Sequence, residues 1–213
     1  MKLIKLIIPV FLFIVTVAAQ NFEGYVKYKL ESEGQVSYVK YFKKGELVRM
    51  EPEMTEMPMS GAIIFKDGKT YMVMPSQKMY MEFGDELYGA GQKETESDVD
   101  ESKPVQTGET KDILGYSCEK WIFNDREYNT EVWAAKGLGE FVFLSLPMGQ
   151  ESMPDWYEDM SNGGFFPMLV EAKDDEGKLE GKMEVVEIKE ESLSNDLFDI
   201  PSDFTQLKMP GEN

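Results

Sequence analysis

Apolar and polar residues alternate along most of this chain. From Phe22 to Glu31, Phe22, Gly24, Val26, Tyr28 and Leu30 fall on one side. Glu23, Tyr25, Lys27, Lys29 and Glu31 fall on the other. A period of two predicts a half-buried strand. After a turn at Ser32, Glu33 and Gly34, Gln35–Lys43 reads as a second strand, and Glu46–Met50 as a third beyond Lys44-Gly45. Short strands at this spacing predict an antiparallel meander. Glu51–Ser60 breaks the pattern with two prolines and reads as a loop or flap carrying Met54, Met57 and Met59. Gly61–Lys66 and Lys69–Met74 form a hairpin through Asp67-Gly68, a strong tight-turn signal. Gln77–Phe83 continues the sheet.

Gly89–Gln106 is poor in apolar residues and reads as a flexible acidic loop, because such a segment buries too little to offset its ordering entropy. Tyr116–Asn124 and Thr130–Ala135 are two strand signals joined by Asn124, Asp125 and Arg126, again a hairpin. Gly137–Leu146 is strongly apolar and fits either a buried short helix or a strand. In Ser152–Met160, Ser152 and Asp155 match a capping box, and Met153, Trp156, Tyr157 and Met160 form a stripe at helical spacing. That predicts a helix plugging the open side of the sheet. Phe165–Lys173 and Lys178–Lys189 form the last hairpin, turned by Asp174–Gly177. In its second strand the apolar phase slips at Val185-Val186, which predicts a bulge. Leu197–Ile200 before Pro201 reads as a short edge strand.

Met1–Ala19 stands apart. Lys2 and Lys5 precede an apolar run from Leu6 to Val17, and Val17 and Ala19 suit a cleavage site before Gln20. The expectation is a signal peptide over residues 1–19 and a single β-rich domain over 20–213. An exported protein, periplasmic or secreted, with no stable membrane anchor after cleavage, follows from that reading.

The chain carries 40 acidic against 22 basic side chains, a net charge of −18. Such a polyanion repels nucleic acid. There is no histidine, which excludes serine–histidine and cysteine–histidine catalytic machinery and most zinc and haem sites. No phosphate-binding glycine loop or dinucleotide fingerprint is present. The reading is a non-enzyme with no cofactor. The single cysteine, Cys118, shares a strand face with Tyr116 and Ile122 and is expected to be a buried small hydrophobe.

The segment TGETKDILGYSCEKWIF, followed by VWAAKGLG, carries a resemblance. Through Thr107, Gly108, Ile113, Gly115, Tyr116, Cys118, Glu119, Lys120, Val132, Trp133 and Ala134 the chain resembles a bacterial envelope family, domain of unknown function 4412. The opening NFEGYVKYKL and closing LFDIPSDF fit it as well. That family resembles the LolA/LolB-like lipoprotein carriers of the periplasm. The resemblance implies a curved antiparallel sheet, a half-open β-barrel around an apolar cavity plugged by one or two short helices. It implies no particular activity.

Methionine is the compositional outlier, at 15 residues. Its flexible thioether suits adaptable apolar surfaces. Met72 and Met74 share one strand face, and Met79 and Met81 share another. With Met54, Met57 and Met59 on the flap and Trp156 on the plugging helix, they are the candidate ligand-binding residues. The expected ligand is a lipid or another apolar molecule. Two alternatives stand beside this: a structural or assembly role in the envelope, and Cu(I) binding through Met54, Met57 and Met59, since thioethers are soft ligands.

Overall fold

The computed structural model describes residues 22–53, 61–83, 102–124, 128–139, 141–142, 160 and 163–208. Twelve strands lie in one sheet. They are β1 (Glu23–Ser32), β2 (Gln35–Lys44), β3 (Leu47–Glu53), β4 (Ala62–Lys66), β5 (Lys69–Met74) and β6 (Met79–Phe83). Then come β7 (Ser102–Ile113), β8 (Tyr116–Asn124), β9 (Asn129–Ala135), β10 (Phe166–Lys173), β11 (Leu179–Glu190) and β12 (Thr205–Gln206). Their order across the sheet is β12-β6-β5-β4-β3-β2-β1-β11-β10-β9-β8-β7. Neighbours are antiparallel throughout, except that β12 runs parallel to β6. The sheet stays open between edges β12 and β7. This is the mainly β antiparallel sheet that the alternation predicts, in the half-open form that the family resemblance implies.

The first and last long strands meet at its centre. β1 pairs with β11 from Gly24↔Glu190 to Ser32↔Gly181, and the register shifts between Lys27 and Tyr28. There Glu187 faces Lys27 while Val185 faces Tyr28, so Val186 is the extra residue. The bulge read from the phase slip is therefore present, with Val185 buried and Val186 exposed. Such bulges bend a strand and increase its twist.

The inner face holds the larger core. Val26 and Tyr28 (β1), Tyr41 (β2), Val48 (β3), Phe65 (β4), Val132 (β9), Val170 (β10) and Val185 (β11) are buried together. Leu138, Phe141, Val142, Met160 and Phe165, from the connection between β9 and β10, join them. Tyr28, Tyr41, Phe141 and Phe166 form a four-ring cluster with centroids 5.2–6.4 Å apart. Both hydroxyls are used: Tyr28 donates to the Pro167 carbonyl at 3.1 Å, and Tyr41 accepts from the Val142 N–H at 3.0 Å. Buried hydroxyls need such partners.

On the outer face the C-terminal segment crosses β3, β4 and β5. Leu193 and Phe198 bury Ile64 and Val73, flanked by Phe42, Leu47 and Tyr71. This explains the unbroken apolar run AIIF in β4, whose residues are buried on both faces. The crossing is fastened at each end. Glu23 Oε1 accepts from the Leu193 N–H at 2.6 Å, which holds the Glu23 carboxyl below its ordinary value. Arg49 donates to the Leu197 carbonyl at 3.0 Å, and Lys78 pairs with Asp203 at 2.7 Å.

Two expectations need correction here. Leu197–Ile200 is not an edge strand. Asn195–Phe198 is a 3-10 turn, capped by the Ser194 side chain accepting from Asp196 N–H, and it turns Phe198 down onto β4. The C-terminal strand is instead Thr205–Gln206. The acidic loop also ends sooner than Gln106, because residues 102–106 already belong to β7, with Val105 opposite Ile122. β7 is an edge strand, where polar residues blunt a row of unpaired amides and erase the alternation that would reveal it. The remainder of that loop, residues 89–101, lies outside the described residues. So do Asp125 and Arg126 of the central turn and most of the predicted Ser152–Met160 helix. Of the latter only Met160 is described, helical in backbone and buried. In Gly137–Leu146, the described residues 137–139 and 141–142 form neither helix nor strand.

Candidate functional site

The hairpin through Asp67-Gly68 sets the register of the site. Lys66 pairs with Lys69, and both turn residues have positive φ, 53° and 73°, as a two-residue turn of this kind requires. That register places Ile63 opposite Met72 and Ala62 opposite Val73. β3 and β6 continue it, with Met50 opposite Ile63 and Met81 opposite Met72. Residues directly opposite in an antiparallel pair point to the same side. Met50, Ile63, Met72 and Met81 therefore form one row across four strands on the inner face. Three inter-strand spacings make this row about 14 Å long.

The rows on either side differ in burial. Below lie Val48, Phe65, Thr70 and Phe83, directly opposite one another in turn and all buried. Above lie Met74 and Met79, opposite each other and half-buried. In the middle row Ile63 is buried while Met50, Met72 and Met81 are half-buried. The face thus grades from a closed apolar floor to a partly open rank of thioethers. Across β3 to β6 these rows carry no charged side chain, and on β2 the floor row continues to the buried Lys43 opposite Val48. What the rows themselves can do chemically is bury apolar surface.

Of the candidate residues, the structure brings Met72, Met74, Met79 and Met81 together on one face. Met54, Met57, Met59 and Trp156 lie outside the described residues. Met50 and Ile63 complete the row and were missed. Their signal was present, because Val48 and Met50 alternate in β3, but the β3–β4 register is set across a broken, proline-containing connection. Met160 and Met168, by contrast, are fully buried core filler.

A separate groove of about 420 Å³ lies between the β7–β8 turn and the end of β11, lined by Leu114, Tyr116, Val186, Glu187, Ile188 and Glu190. Of the predicted site residues that are described, Met72, Met74, Met79 and Met81, none lines it.

Cys118 offers no reactive centre. It is fully buried opposite Ala135, and burial pushes its thiol up to about 11 from an ordinary 9.0. A group whose folded value stands above its unfolded one stabilises the fold below the lower value. That stabilisation is lost as pH rises through the higher one. Urea midpoints of the wild type are expected to fall relative to those of Cys118→Ala between pH 9 and 11. Native Cys118 is expected to react with a thiol reagent only after denaturant is added. A parallel pH dependence in the two proteins, or fast native labelling, contradicts this placement.

Around Cys118 the outer face is a lattice of charge. Lys111 sits over the Trp133 ring at 4.1 Å, and Lys120 and Lys173 each lie 3.1 Å from Glu131. Among the described residues no group of three acidic, cysteine or histidine side chains is arranged to hold a metal.

Comparison with known proteins agrees with this architecture. An uncharacterized conserved protein from Thermus thermophilus superposes with a TM-score of 0.56 at 10% identity, covering 89% of this chain and 91% of that one. The Pseudomonas aeruginosa MucA/MucB complex gives 0.52 at 11% identity, covering 90% of this chain and 60% of that one. A LolA superfamily protein from Nitrosomonas europaea matches more loosely, with a TM-score of 0.36 at 13% identity over 84% of this chain and 90% of that one. No curated protein matches the sequence significantly. The family described as Domain of unknown function (DUF4412) matches residues 22–204, and the chain belongs to that family.

Proposed function

We propose that this is an exported, non-catalytic binding protein of the cell envelope that holds a lipid-like or other apolar ligand against its methionine rows. The observation that carries the reading is the in-register row Met50–Ile63–Met72–Met81, half-open above a buried floor. Thioethers on flexible stems adapt to varied apolar shapes, and a half-buried apolar row on the inside of an open sheet has surface left to bury. The leader-like pattern of residues 1–19 supports export. The likeness to MucB, solved in complex with MucA, keeps an assembly role as the second reading.

The test uses the chain from Gln20 onward with 1-anilinonaphthalene-8-sulfonate and a long-chain fatty acid. Both are expected to bind, and chelators to have no effect. Replacing Met72 and Met74 with Glu is expected to weaken binding on the order of a hundredfold, because a carboxylate in an apolar site costs several kcal/mol. Far-UV circular dichroism should be unchanged, since both side chains are only half-buried. Replacing Met54, Met57 and Met59 with Leu should preserve binding. Copper binding predicts the opposite pattern, with Cu(I) uptake lost in the Leu triple variant and kept in the Glu pair. If neither apolar probe binds the wild type, the assembly reading replaces this one.

A further inference from the structure

From Val185 to Glu190, β11 is paired on one side only. β1 accompanies it as far as Glu190, whereas β10 pairs only from Glu184 back to Leu179. Beyond Glu184 no described strand occupies that second edge. The Glu191 N–H donates to the Glu23 carbonyl at 3.0 Å, which fixes the phase of hydrogen bonding between β11 and β1. Because that phase alternates in an antiparallel pair, Lys189 and Glu187 turn their amide groups toward β1. Ile188 and Glu190 turn theirs away, toward the side where the β7–β8 hairpin tip stands. The groove of about 420 Å³ lies there.

The far wall of the groove is built at a conformational cost. Ile113 pairs with Tyr116, so Leu114 and Gly115 form a two-residue turn with φ of 53° and 87°. Glycine or asparagine suits the first of these positions, and a leucine there is strained by roughly 1 kcal/mol. Yet Leu114 is 52% exposed, and Val186 across the groove is 40% exposed. Tyr116 closes one end by donating to Glu190 Oε1 at 3.0 Å. The acidic walls are Glu190 and Glu187, the latter also accepting from the Tyr25 hydroxyl.

We propose that the Val186–Glu190 edge of β11 is a strand-addition site for an extended segment of another protein in which apolar and basic residues alternate. Five residues of edge span about 17 Å. Outward amides at Ile188 and Glu190 supply backbone pairing, Leu114 and Val186 receive an apolar side chain, and the glutamates select lysine or arginine. A second copy of this chain is disfavoured, because an isologous pairing would bring its own Glu187 and Glu190 against these. An anionic lipid headgroup is repelled by the same carboxylates and leaves the amides unpaired.

The probe is a fluorescein-labelled octapeptide of alternating valine and lysine, followed by anisotropy at physiological salt with the chain from Gln20 onward. Its control has the same sequence N-methylated at every internal residue, which keeps the charge and removes the donors. Saturable binding is expected for the first, and binding weaker by about tenfold or more for the second, a loss equivalent to one or two hydrogen bonds. Leu114→Asn suits the turn and keeps the fold, and it should weaken the peptide to a similar degree. Glu190→Pro removes an outward N–H that β1 does not use and should do the same. Dye binding to the methionine face should be unchanged in Leu114→Asn, which separates this site from the one proposed above. Absence of saturable binding overturns the proposal, as does equal binding of the N-methylated peptide or indifference to both substitutions. Self-association in sedimentation that Leu114→Asn abolishes also overturns it, by placing a second copy on the edge.

Discussion

Gly24→Ala is expected to destabilise the protein by on the order of 4 kcal/mol, or to prevent folding, for two reasons that act together. Gly24 has φ of +150°, a conformation that side-chain-bearing residues rarely adopt. A Cβ there would also lie 2.0 Å from the Lys189 carbonyl oxygen. That obstacle is backbone, not the end of a movable side chain, so β1 and β11 would have to separate. Their pairing joins the β1–β6 half of the sheet to the β7–β10 half. Gly45→Ala is the control. Its φ of +58° is also unfavourable to alanine, but nothing lies within 4 Å of the added carbon. It should lose only the strain, about 1 kcal/mol. Urea melts of both variants decide the matter. Equal losses would mean that the close approach at Gly24 does not hold the sheet together.

Gly24 is also an instructive limit on what the chain discloses. In the sequence it fits the apolar phase of β1 as a small residue. Why it is glycine depends on β11, far away along the chain. Elements with local causes were legible: the alternation of β1, the Asp67-Gly68 turn, the Val185-Val186 slip and the buried cysteine. The Asp174 turn was too, its carboxylate accepting from the Glu176 and Lys178 amides at 3.0 and 2.8 Å. Elements that depend on neighbours were not. β7 carries little apolar alternation because it is an edge. Phe198 looks like part of a strand until β4 and β5 present Ile64 and Val73 beneath it. The site divides in the same way. Faces within single strands put Met72 with Met74 and Met79 with Met81, while the row that joins them exists only through register.

The second large effect is expected at Phe166. Its side chain is fully buried, and its ring contacts Tyr28, Tyr41 and Phe141 at 6.3, 5.7 and 5.2 Å between centroids. Phe166→Ala removes one of four mutually touching rings and leaves a cavity that the sheet cannot readily collapse. The expected loss is about 3–5 kcal/mol. Phe166→Leu keeps most of the volume and should cost about 1–2 kcal/mol. The rings come from β1, β2, β10 and the segment after β9, so this cluster, and not sequence-local structure, fastens that segment to the inner face. A double variant with Phe141→Ala tests the point. If the rings act as one unit, the pair should cost less than the sum of the single changes, because the second truncation enlarges a void that already exists. Strict additivity in the urea midpoints would mean that the rings contribute independently and that Phe141 is not held by Phe166.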